Sequence, residues 1–138
     1  MRLLARREHS ILELTRKLKH RGFPADEIGR ALESFSAEGW LSDRRFAESF
    51  VRYRVSRGLG PVRIRRELSE RGVDRELADA ALTACDEDWL TRAEAVRQKR
   101  FGAALPRDIQ ERGRQVRFLA YRGFPQEQIG RVLRGIDD

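Results

Sequence analysis

Cysteine is nearly missing from this sequence. The single Cys85 excludes an internal disulfide framework, and only two histidines stand beside it, so little is left from which to build a zinc site. No apolar run approaches the ~18 to 20 residues that a spanning helix needs. Residues 1–10 hold no apolar signal-peptide core. A phosphate-cradling glycine loop is absent too: Gly58-Leu59-Gly60-Pro61 lacks a following Lys-Ser/Thr and reads as a turn between helices. There is no Gly-x-Ser-x-Gly elbow, and His9 and His20 stand eleven residues apart with no acid or nucleophile to complete a relay. Four prolines and eleven scattered glycines argue against a multi-stranded β architecture. These absences point away from an enzyme, a cofactor and a membrane. They leave a helical chain, expected to be cytoplasmic.

What the sequence has is charge. Of its 138 residues 37% are charged, and 29 Lys and Arg against 22 Asp and Glu give a net +7. Such a balance speaks to solubility and polyanionic partners, not to fold.

It also has a repeat. Arg21-Gly22-Phe23 returns as Arg71-Gly72-Val73 and as Arg122-Gly123-Phe124, spaced by 50 and 51 residues. Register holds on both sides. Leu18, Leu68 and Leu119 stand three before each Arg; Ile28, Ala78 and Ile129 stand seven after; Leu32, Leu82 and Leu133 stand eleven after. The periodicity inside a unit is helical: Ile129, Val132, Leu133 and Ile136 fall at i, i+3, i+4, i+7, and Ala78, Ala81, Leu82 and Cys85 repeat that spacing.

Breakers divide each unit into three helices. First helices are expected near 1–8, 43–57 and 88–101, middle ones near 11–21, 61–71 and 107–121, last ones near 24–38, 74–85 and 125–135. Ser10-Ile11-Leu12-Glu13 reads as a capping box, and Pro61 and Pro106 as starts of the other two middle helices. The glycine of each Arg-Gly-Phe/Val suits the left-handed residue after a helix end, and Pro24, Asp74 and Pro125 open the next helix. The first helix of the chain reads as cut short, as if Met1 began a trimmed chain. One three-helix unit buries little apolar surface alone, so the units should stack. The expectation is an all-α, elongated, monomeric array of three repeats: 1–39, 40–87 and 88–138.

Charge is sorted along this array. Residues 2–21, 44–71 and 92–117 carry +5, +6 and +5, while 22–43 and 72–91 carry −4 and −5, and 118–138 balance. Pairs at i,i+4 such as Arg63–Glu67, Arg66–Glu70 and Glu48–Arg52 account locally for many arginines as solvated faces. They do not account for a sign that alternates with the repeat. A basic stripe along the stack fits a phosphate backbone or an acidic groove of a protein polymer. Arg54, Arg57, Arg65, Lys99, Arg100 and Arg117 have no acid at i±3 or i±4 and lead the candidates, followed by Arg45, Arg52, Arg63 and Arg66. The bland counterpart is that cations in the last turn of a helix complement its dipole. Asp86-Glu87-Asp88 reads as a helix cap rather than a metal site, Cys85 as core filler, and Trp40 and Trp89 as junction core.

Several runs together resemble the RecX family. These are Arg6-Arg7-Glu8-His9-Ser10 with Glu13-Leu14 and Arg16-Lys17-Leu18, and Gly39-Trp40-Leu41-Ser42-Asp43 with Arg45-Phe46-Ala47 and Phe50. The most specific is Arg57-Gly58-Leu59-Gly60-Pro61-Val62-Arg63-Ile64-Arg65-Arg66-Glu67-Leu68 with Gly72-Val73. Lys99-Arg100-Phe101-Gly102 and the run from Arg117 to Phe124 extend it almost to the end of the chain. The resemblance implies tandem three-helix repeats and a mostly negative regulator of the RecA recombinase. Such a protein binds the groove of the RecA–DNA filament and restrains filament growth, ATP hydrolysis, strand exchange and SOS-repressor cleavage. It implies no catalytic residues. The charge pattern alone leaves two rivals open: a direct DNA-binding regulator with helix-turn-helix-like units on single- or double-stranded DNA, and a helical-repeat adaptor for proteins.

Overall fold

Eight helices follow one another in the computed structural model, which describes residues 7–134. They are α1 (Ile11–His20), α2 (Ala25–Ala37), α3 (Asp43–Ser56), α4 (Pro61–Glu70), α5 (Arg75–Ala84), α6 (Trp89–Phe101), α7 (Ile109–Arg122) and α8 (Gln126–Arg134). No strand occurs among the described residues. Helices α3 to α5 and α6 to α8 make the second and third repeats, and α1 and α2 belong to the first. The helix expected over 1–8 falls mostly outside the described residues; residues 7–10 are not helical.

Five of the described helices, α1, α3, α5, α6 and α7, start at a side chain that accepts from their unpaired first amides. Ser10 accepts from the Glu13 amide while the Glu13 carboxylate accepts from the Ser10 amide, which is the expected capping box. Ser42 caps α3, Asp74 caps α5 and Asp88 caps α6; Gly60 precedes Pro61 at the first position of α4. The expected start at Pro106 is two residues early. Asp108 accepts from the Glu111 amide at 2.7 Å, and this side-chain cap fixes the start of α7, leaving Pro106 in the preceding loop.

The equivalent apolar positions are buried in register. Ile28, Ala78 and Ile129 are all buried, as are Leu68, Leu82, Leu119 and Leu133, while Leu18 and Leu32 are half-buried. The second repeat gathers Phe46, Val51, Ile64 and Leu68 into one core; the third gathers Ala93, Leu119, Phe124 and Ile129 into another. Trp89 packs against both and so is junction core, as its position in the repeat suggests. Trp40 is not: it is 48% exposed and stacks on Phe35 at 6.2 Å. Cys85 lies against the second core, where burial pushes its thiol up and the thiol donates to the Leu82 carbonyl. No helix among the described residues is long and apolar enough to cross a membrane.

One joint occurs twice. In both cases the glycine turn of a repeat meets the first turn of the middle helix of the repeat before it. A Cβ on Gly72 would stand 2.7 Å from Leu12 Cβ, and one on Gly123 would collide with the backbone and Cβ of Arg63. Both glycines have positive φ (78° and 100°), so both geometry and space demand glycine there.

Candidate polyanion-binding groove

The second joint is built from backbone. The Gly60 amide donates to the Arg122 carbonyl at 2.8 Å, and the Val62 amide to the Gly123 carbonyl at 2.9 Å. These are amides that the start of α4 leaves without a helical partner, so the joint closes by satisfying them. Gly60 itself lies too close to the Gly123 carbonyl to carry a side chain. Two arginines reach across. Arg122 donates to the Arg57 carbonyl at 3.1 Å, and Arg63 donates to the Tyr121 carbonyl at 3.2 Å.

Beside this joint the end of α3, one face of α6 from Arg92 to Arg100 and the last turns of α7 enclose an open groove of about 570 Å³. Its walls carry Arg57, Arg92, Lys99, Arg100 and Arg122, its apolar floor includes Val55, Val96 and Phe118, and no acidic residue lines it among the described residues. Two of the cations are held by aromatic faces rather than by carboxylates. Arg100 lies 5.7 Å and Arg122 5.3 Å from the centre of the Phe118 ring, and Phe118 is itself fixed edge-on against Phe101 at 5.3 Å. A π-face orients a guanidinium while leaving its charge uncompensated, so these side chains remain available to an anion. Arg92 is the exception, being paired with Glu87.

The candidates read from the sequence separate into two groups. Arg57, Lys99 and Arg100 come together in the groove. Arg54 turns away and grips Glu67 through two bonds of 2.7 and 3.0 Å, with Arg63 on the same carboxylate at 3.0 Å. Burial alone would push the Glu67 carboxyl up, but the hydrogen bonds and charges of Arg54 and Arg63 outweigh it and hold the group below the ordinary carboxylate range. Arg65 pairs with Asp79 at 2.7 Å, and Arg45 with Glu8 at 2.7 Å. Arg52, Arg66 and Arg117 are exposed, form no ion pair among the described residues and lie outside the groove lining. Of the expected local pairs, Arg63–Glu67 forms. Arg66–Glu70 does not, and Glu48 takes Arg44 in place of Arg52.

Arg92 and Arg122 were not among those candidates, and neither was Arg97. Arg122 carried a signal, since it is the arginine of the repeated Arg-Gly-Phe. Arg97 is completely buried on α6, where it donates to Glu94 and to the carbonyls of Ala103 and Ala104. It thereby pins the loop that follows the turn bearing Lys99 and Arg100. The Asp86-Glu87-Asp88 run behaves as a cap: Asp88 accepts from the Thr91 amide and hydroxyl. Among the described residues no three His, Cys, Asp or Glu side chains gather as a metal site. What the groove offers chemically is fixed positive charge over an apolar floor.

Three family models match the chain in sequence: the first three-helix domain of RecX over residues 1–35, the second over 42–82 and the third over 86–133. The chain is 52% identical over 137 residues to the Regulatory protein RecX of Pseudomonas entomophila, covering 99% of this chain and 88% of that one. It is likewise 52% identical over 140 residues to the Regulatory protein RecX of Pseudomonas savastanoi pv. phaseolicola, covering 100% and 90%. In structure it is similar to the crystal structure of RecX from Lactobacillus salivarius, with a TM-score of 0.81 at 20% identity over 99% of this chain and 90% of that one. A second regulatory protein RecX crystal structure gives 0.83, also at 20% identity, over 96% and 67%. The chain belongs to the RecX family.

Proposed function

We propose that this protein is a mostly negative regulator of RecA that lies along the RecA–DNA filament, with the groove between its second and third repeats set on the phosphate backbone. The observation that carries this is the convergence of Arg57, Lys99, Arg100 and Arg122 in a groove that no acid among the described residues lines. Cations so placed displace counterions from a polyanion, which supplies affinity without reading sequence. These side chains sit at helix ends and in a turn rather than along one exposed helix. That favours backbone contact over the base readout of a helix-turn-helix protein. Held in the filament groove, a rigid body of this kind blocks filament growth. ATP hydrolysis, strand exchange and SOS-repressor cleavage fall with it. The protein acts in the cytoplasm by binding, as a monomer, with no cofactor and no catalytic step of its own.

The test is RecA ATP hydrolysis on single-stranded DNA. Wild-type protein should suppress it, and Arg57→Glu with Lys99→Glu and Arg100→Glu should lose that suppression while still folding. Full suppression by the folded triple variant would defeat the proposal.

A further inference from the structure

The chain has two tyrosines, and both face solvent: Tyr121 is 73% and Tyr53 57% exposed; neither lines the groove, but each neighbours along its helix an arginine that does. Tyr53 stands one turn before Arg57 on α3, and Tyr121 directly precedes Arg122 on α7. Exposed tyrosines are common and need no explanation singly. Tyr121 differs in being fixed. Arg63 lies 5.0 Å from its ring centre and also donates to its carbonyl, while Glu67 holds Arg63 from behind at 3.0 Å. One ring face is thus covered by a guanidinium that is itself anchored, and the ring remains largely open to solvent. A flat surface of this kind, held in advance on the residue next to Arg122, suits a nucleobase whose phosphate reaches the groove cations. Duplex DNA keeps its bases stacked on one another, so only a single strand can use such a platform.

We infer that the junction takes single-stranded nucleic acid, with Tyr121 as the stacking platform for an unpaired base and Tyr53 as a second, less rigid one. The inference rests on the groove's role as a polyanion site, and its test separates the two. Fluorescence anisotropy would follow three labelled ligands: a single-stranded oligonucleotide, the same length of duplex, and an abasic strand of that length. Tyr121→Ala should weaken single-strand binding about five- to hundredfold. Duplex and abasic binding should not change. Tyr121→Phe, which keeps the ring, should bind like wild type. The triple charge reversal should weaken all three ligands alike. If Tyr121→Ala leaves single-strand binding intact, or weakens the abasic strand equally, the stacking inference is overturned while the groove stands. If the wild-type protein binds RecA but none of the three ligands, an acidic protein surface occupies the groove and both readings fall.

Discussion

The joint between the first two repeats and the joint between the last two bring together equivalent surfaces with different chemistry. At the first, the Ile11 amide donates to the Asp43 carboxylate at 2.7 Å, Arg45 pairs with Glu8 and Arg71 with Glu13. At the second, the Gly60 and Val62 amides donate to backbone carbonyls instead. In the first joint Asp43 accepts the amide, while two other carboxylates, Glu8 and Glu13, neutralise Arg45 and Arg71 beside it. Carbonyls close the second joint without adding negative charge, and Arg57, Lys99 and Arg100 beside it stay unpaired among the described residues. The two joints thus differ in how much of the positive charge beside them is met by carboxylates. The same repeat gives a charge-compensated hinge in one place and an open basic groove in the other.

The sharpest way to break this comparison is at the glycines. Gly22, Gly72 and Gly123 have φ of 90°, 78° and 100°, so alanine carries a similar backbone strain at each, about 1–2 kcal/mol. Gly22 has open space where a Cβ would go, whereas Gly123 has the Arg63 backbone. Denaturant unfolding should show Gly123→Ala costing roughly 3 kcal/mol or more, and Gly22→Ala only the strain. Equal costs would mean that the second joint is not closed as described.

A smaller effect separates the two glutamates. Glu67, buried between Arg54 and Arg63, supports the second joint, and Glu13 pairs with Arg7 and Arg71 beside the first. Glu67→Gln should cost about 2 kcal/mol at neutral pH, since it leaves two guanidiniums without their shared partner. Glu13 is more exposed, and breaking its ion pairs should cost about 1 kcal/mol or less. The Glu67 effect depends on pH with a definite sign. Its folded-state value is depressed, so its contribution is complete at neutral pH and is lost as pH falls below about 4.5 and through that lower value. The gap between wild type and Glu67→Gln should therefore narrow as pH falls below about 4.5; a gap that did not narrow in acid would contradict the pairing.

The smallest effect is salt on the joints themselves. Raising ionic strength should speed hydrogen exchange at the Ile11 amide a few-fold, because the flanking pairs are partly exposed and screened. Exchange at the Gly60 and Val62 amides should not respond. The ion pairs that support the second joint, Arg54–Glu67 and Arg63–Glu67, are largely shielded from salt, so a response at Val62 as large as that at Ile11 would contradict this difference.

The repeat is legible in the sequence because burial enforces it: the seventh residue after each repeated arginine, Ile28, Ala78 or Ile129, must face a core. The capping box at Ser10 is legible because both partners lie within four residues. The site is only half legible. Arg54 and Arg65 look free when acids are sought within one turn, yet their partners Glu67 and Asp79 lie 13 and 14 residues away on other helices. Arg97 looks like a surface cation. Its burial follows from the carbonyls of a loop, which no pattern of side chains announces. Arg57, Lys99 and Arg100 meet the same test of no nearby acid, and the groove gathers them from two helix ends.

The central claim is that the cations of the second joint neutralise phosphates, and the salt dependence of single-strand binding tests it most directly. Arg57→Gln, Lys99→Gln and Arg100→Gln together remove three charges without reversing any. At about 0.7 per phosphate contact on a single strand, the slope of log affinity against log salt should fall in magnitude by about 2. A folded variant whose slope matches wild type would contradict the account.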